Sequence, residues 1–160
     1  MKHPRISLFF SFVGVLLLGA CASNEDKIVG KWKGTNSIEG NEGGVHMNME
    51  IDEEAQYLAN GKFNSDGSII LTLNHATRMT FTYVMAGDWE IREEDLFTTV
   101  VNFTLIPVEA DDMDQATFFA NMMSEGGTGV SSQDEIIELT DEKLRLEDDE
   151  GNISKYRKID

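Results

Sequence analysis

From Val45 to Ile91 the chain alternates apolar and polar residues with a period of two, and this rhythm decides most of what it can fold into. Val45, Met47, Met49 and Ile51 fall on one side of an extended backbone, while His46, Asn48, Glu50 and Asp52 fall on the other. Successive strand side chains point to opposite faces, so such a run makes a half-buried strand; a helix would scatter the same residues around its axis. Tyr57, Ala59, Gly61 and Phe63 keep the phase. Asn64-Ser65-Asp66-Gly67 is then expected to turn the chain into a strand carrying Ile69, Leu71 and Leu73. Met79, Phe81, Tyr83 and Met85 form the longest run, and Trp89 and Ile91 resume it beyond Ala86-Gly87. Gly87 reads as a bulge that bends one long strand.

After an expected turn at Glu93-Glu94-Asp95, a strand carries Phe97, Val101, Phe103 and Leu105 and is expected to end at Pro107. Near the C-terminus, Ile137 to Leu139, Leu144 to Leu146 and Ile153 to Ile159 supply three short strands, with acidic turns between them. The predicted fold is all-β: an antiparallel up-and-down meander of about eight to ten strands, closing into a barrel that leaves few exposed edges. One segment departs from the rhythm. Residues 111–124 are expected to form a short helix, with Asp111 and Asp112 at its N-terminus and Phe118, Phe119, Met122 and Met123 as its apolar flank. A Gly- and Ser-rich loop is expected over 125–133. Helix and loop together would be either a lid over an open end or a plug that completes the core.

The N-terminus follows another logic. Lys2 and Arg5 precede an apolar stretch from Ile6 to Leu18, too short to span a bilayer comfortably and flanked as a secretory signal is. The stretch closes in Leu18-Gly19-Ala20-Cys21, and Cys21 is the only cysteine. This tetrapeptide resembles a bacterial lipobox. The resemblance implies cleavage after Ala20 and acylation of Cys21, with acyl chains that anchor the protein stably to a membrane of the bacterial envelope. Ala22 in place of an aspartate implies the outer membrane, on its periplasmic face. The other reading is an ordinary signal peptide that leaves Cys21 a free thiol. Residues 1–20 are then a signal, 21–27 an acylated cysteine with a polar tether, and 28–160 one domain large enough for a single core. No disulfide is available to that domain. Without residues 1–20, 11 basic and 29 acidic side chains remain, a formal charge of −18. Such a surface repels nucleic acid and suits a cationic partner, or simply solubility.

The segment Ile28-Val29-Gly30-Lys31-Trp32-Lys33-Gly34 is similar to the Gly-X-Trp opening of lipocalin-like domains, notably those of small bacterial lipoproteins of unassigned function. Gly61-Lys62-Phe63, Gly87-Asp88-Trp89-Glu90-Ile91 and the terminal Leu139 to Leu144 with Lys155-Tyr156-Arg157 extend the resemblance over about residues 28–159. It implies that Gly30 leads into the first barrel strand and that Trp32 closes the barrel's bottom. In that family an Arg from a late strand covers the Trp; Arg157 is available for that place, or is an ordinary surface arginine. The disulfide and long C-terminal helix of many lipocalins have no counterpart here.

Catalytic chemistry finds little footing. His46 and His75 stand in no recognisable triad or metal spacing, and Ser131 and Ser132 lack a nucleophile-elbow pattern, so no enzyme and no cofactor are expected. His46-Met47-Asn48-Met49 offers soft metal ligands, but a strand points Met47 and Met49 away from His46. Glu109 to Asp114 and Glu147 to Glu150 hold oxygen ligands without the spacing of a calcium loop, so no metal site is expected. A binding reading is better founded: Met47, Met49, Tyr57, Phe81, Tyr83, Met85, Trp89 and Phe103 would line the inner face and suit a small apolar or amphipathic ligand. The same side chains would alternatively fill a small barrel completely. The competing functional reading is an acidic interaction module: an inhibitor of a cationic periplasmic hydrolase such as lysozyme, or an accessory of envelope assembly.

Overall fold

The computed structural model describes residues 23–160; the expected signal segment, Cys21 and Ala22 lie outside the described residues. Eight strands follow in chain order: β1 (Gly30–Glu42), β2 (Val45–Tyr57), β3 (Lys62–Leu73), β4 (Thr77–Arg92), β5 (Asp95–Ala110), β6 (Ser131–Leu139), β7 (Lys143–Glu147) and β8 (Ile153–Lys158). Each pairs antiparallel with the next, and β8 returns to β1 through Trp32 opposite Lys158 and Thr35 opposite Lys155. The sheet is therefore a closed ring without a free edge where all eight strands meet.

The ring is complete at one end only. β8 covers β1 from Trp32 to Thr35, and β6 covers β5 from Asp95 to Thr99. Past those points β1 to β5 run on, and α2 (Met113–Gly127) lies along β5 where a strand would otherwise be. Asp112 caps this helix by accepting the N–H groups of Asp114 and Gln115, each at 3.0 Å. Ser124 Oγ accepts the Leu105 N–H at 2.9 Å, so the helix also satisfies part of the β5 edge. The helix extends to Gly127 and β6 begins at Ser131, so the loop expected over 125–133 shrinks to residues 128–130.

Three further expectations need correction. The turn lies at Leu58–Gly61, not at 64–67: the Leu58 N–H meets the Lys62 carbonyl at 2.9 Å, and Gly61 takes φ +76°. Gly67 is instead an interior residue of β3, where a Cβ would stand 2.0 Å from the Asp52 carbonyl oxygen. In β5 the buried residue near the start is Leu96, not Phe97, and Val101 is exposed. The cause is a bulge at the expected level, Gly87, whose extra residue belongs to the partner strand: Ala86 faces Asn102 and Gly87 faces Val100, leaving Val101 over. One unpaired residue reverses the phase of everything before it. Pro107 does not end β5. It is tolerated because β6 has already left that stretch.

The tether expected before residue 28 is, in its described part, a helical turn. α1 (Asn24–Ile28) begins with a capping box between Ser23 and Asp26, and its Ile28 is fully buried. Lys158 Nζ donates to the Lys27 carbonyl at 2.9 Å, which ties the turn to the last strand.

Candidate functional site

Inward-pointing side chains form two apolar clusters. At the closed end Trp32 is at the centre, among Ile28, Tyr57, Phe63, Trp89, Leu96 and Leu144, and its Nε1–H donates to the Ile28 carbonyl at 2.7 Å. Trp89 donates likewise to Leu58 O at 3.0 Å and meets Tyr57 edge-on with centroids 5.8 Å apart. The cation over Trp32 is Lys158, at 5.0 Å from the ring, whereas Arg157 lies on the outer, exposed face. Gly30, at φ +133°, leaves room for the Lys158 stem, which a Cβ would approach to 2.5 Å.

The second cluster joins the far halves of β2 to β5 to α2: Leu71, Met79, Phe81, Tyr83 and Leu105 pack with Ala116 and Ala120, and Phe119 meets Phe81 at a tilt with centroids 5.6 Å apart. Of the eight expected lining residues, Tyr57 and Trp89 belong to the closed end. Met47, Met49, Phe81, Tyr83 and Phe103 belong to the α2 end, and Met85 touches both clusters. They do not surround one hollow. Four of those at the α2 end or between the clusters (Met47, Met49, Met85 and Phe103) are only half-buried, as are Ile51, Ile69 and Leu73 beside them.

Between the clusters lies a polar layer that the reading of the sequence missed. Glu53 faces inward from β2, where its carboxyl accepts from Ser65 Oγ and, at 2.9 Å, from the Tyr156 hydroxyl. The Tyr83 hydroxyl is 3.4 Å from that of Ser65, and Asn36 Nδ2 donates to Ser154 Oγ at 2.8 Å. Burial, and then the charge of Glu53, push the phenols of Tyr57, Tyr83 and Tyr156 up from an already high ordinary value, and of the three Tyr156 donates to Glu53. The signal was present: Glu53 continues the parity of Met47, Met49 and Ile51, so an acid stood on the apolar face.

Other candidate groups fall elsewhere. His46 and His75 lie side by side with ring centroids 4.1 Å apart and planes tilted by 50°, away from the inward Met47 and Met49. Asp148 accepts the N–H groups of Glu150 and Asn152 as a turn residue, and among the described residues no three His, Cys, Asp or Glu are arranged to hold a metal ion. A hollow of about 690 Å³ is walled by six acids, Asp95, Asp134, Glu135, Glu147, Asp148 and Asp149. Burial, with Asp148 and Asp149 adding, holds the Asp134 carboxyl above the usual carboxylate range against the opposing hydrogen bond from Ser132.

No protein-family model and no curated protein matches this chain. Among solved structures it is similar to a crystal structure of an uncharacterized protein from Bacteroides eggerthii, at 20% identity over 81% of this chain and 98% of the other, with a TM-score of 0.41.

Proposed function

We propose that this protein is an outer-membrane-anchored, lipocalin-like lipoprotein that holds a small apolar or amphipathic molecule between α2 and the inner faces of β2 to β5, on the periplasmic side. One observation carries the reading: inward-pointing Met47, Met49, Ile51, Ile69 and Leu73 keep part of their surface open beside the buried Phe81, on the side where no strand of the ring covers β1 and β5. Methionines adapt to a guest's shape, and α2 would be the movable wall, since its main backbone neighbour among the strands is β5. A ligand's apolar part would displace water from the methionines, and a polar head would meet Glu53, Ser65 and the neutral tyrosines below. The position of Trp32 at the closed end, under a cation from the last strand, and the Leu18 to Cys21 tetrapeptide support the lipocalin-like and lipoprotein parts of the reading.

The test is a titration of the chain from Ala22 onward with a fluorescent fatty-chain probe, in wild type and in Met49→Asp. Saturable binding lost in the variant is the expected result. A probe that fails to bind, or binds both equally, contradicts the site. Acylation is tested separately, by the mass of the protein extracted from membranes and of a Cys21→Ala variant.

The second reading, docking of a cationic protein, rests on the six-acid hollow. Glu135 stands opposite both Asp95 and Glu147, like charges that a basic partner would relieve. It requires a partner whose affinity falls steeply with salt and is lost in a Glu135→Gln, Glu147→Gln variant.

A further inference from the structure

On a chain whose described part is strongly acidic, cations are not spread evenly. Lys33, Lys143, Arg145, Lys155 and Arg157 all line one hollow of about 750 Å³ on the outside of β7, β8 and β1, floored by the bare backbone of Gly34 and by Tyr156. The strand register sets them directly against one another: Lys143 opposite Arg157, Arg145 opposite Lys155, and Lys33 opposite Arg157. Like charges opposite each other across antiparallel strands destabilise a sheet, and acids were abundant for those places.

Their partners do not cancel the excess. Two carboxylates, Glu138 and Glu142, share the hollow, and Glu138 lies 3.7 Å from Arg145. Lys33 turns towards Asp52 and Glu54, at 3.8 and 3.4 Å. Lys143, Lys155 and Arg157 form no ion pair among the described residues. Arg145 Nε is buried with no hydrogen-bond partner, while the side chain as a whole is 40% exposed, so its pairing with Glu138 leaves the guanidinium under-satisfied. Screening acts over about 8 Å at physiological ionic strength, so the hollow's five cations, offset in part by Glu138, Glu142 and the Asp52 and Glu54 beside Lys33, set its local field rather than the acids across the molecule.

From these observations we infer that the outer face of β7, β8 and β1 binds a phosphate group. A tetrahedral phosphate offers several acceptor oxygens to donors on three strands at once, and arginine's planar fork matches it, whereas a planar carboxylate has two oxygens to share. The site stands apart from the α2 end and does not rest on the ligand proposed there. Its phosphate comes either from a free small anion or from a lipid headgroup.

Two probes separate those sources: inorganic phosphate, followed by NMR shifts in a phosphate-free low-salt buffer, and vesicles of phosphatidylglycerol in phosphatidylcholine, followed by co-sedimentation against phosphatidylcholine alone. The chain from Ala22 onward is used, since it contains every described element. Saturable phosphate shifts at Lys143, Arg145 and Arg157 identify a small-anion site; vesicle binding without them identifies a headgroup site. In the Lys143→Gln, Arg157→Gln variant, binding falls by roughly tenfold or more, while the melting temperature stays level or rises because the repulsion is gone. Neither probe binding, undiminished binding by the variant, or a lower melting temperature in it would each overturn the inference.

Discussion

The closed end and the α2 end are built from the same strands, yet they solve the packing problem in opposite ways. At the closed end eight strands converge on Trp32, which is 0% exposed and hydrogen-bonded, and α1 seals the bottom with Ile28. At the α2 end five strands continue, three have stopped, and one amphipathic helix stands in for them. Its outer face leaves Phe118 71% exposed. A side chain held on all sides loses a large transfer free energy when truncated, and one with a free side loses less. Stability should therefore be concentrated where Trp32 lies, and adaptability where the methionines lie.

Variants sharpen that contrast. Trp32→Ala is expected to cost about 3–5 kcal/mol, as full truncation of a buried aromatic does, measured by denaturant unfolding. A loss below that range would mean the closed end is not the stabilising half. Gly67→Ala should cost about 1–3 kcal/mol, since its methyl would meet the Asp52 carbonyl and β2 must move. Met49→Ala is expected to cost only about 1 kcal/mol, below the range for fully buried methionines, while weakening ligand binding. Equal losses for Met49 and Trp32 would erase the difference between the ends.

Two smaller effects test the rims. Because the folded state holds Asp134's carboxyl above its ordinary range, it binds that proton more tightly than the unfolded chain does. This group therefore weakens folding at neutral pH, and the penalty disappears as pH falls below the ordinary carboxylate range. Asp134→Asn should thus raise the melting temperature at pH 7 and leave it unchanged in acid; a gain at both would place the cause elsewhere. Phe118→Ser should stay within about 0.5 kcal/mol of wild type, as exposed substitutions do. A larger loss would show that the outer face of α2 is covered.

Much of this architecture was legible in the sequence because period-two alternation reports directly on which face is buried. Met47 to Ile51 and Met79 to Met85 were read in correct phase, and the helix after Asp112 was visible from its cap. Of its expected apolar flank only Phe119 packs inward: Phe118, Met122 and Met123 are exposed, and the small Ala116 and Ala120 take the buried face against β5. What could not be read was non-local. Val101 looks like any strand valine, and only its pairing with β4 makes it the extra residue that puts Leu96, not Phe97, inside. Asn64 to Gly67 carries turn chemistry, yet the close approach of Asp52 demands that glycine within a strand. The two hollows depend on which short strands become neighbours, so their charge segregation was hidden in a net charge. Glu53 is different: its parity was in view, but an inward acid gains meaning only from the hydroxyls of Ser65 and Tyr156, distant in the chain.

The most direct test of the ligand reading is native mass spectrometry of the chain from Ala22 onward, purified from a bacterial periplasm without detergent, beside its Met49→Asp variant. The account predicts a non-covalent small-molecule adduct on the wild type, released on denaturation and missing from a folded variant. A bare polypeptide mass for both proteins, unchanged after incubation with apolar and amphipathic compounds, would contradict it and leave the α2 end as a filled core.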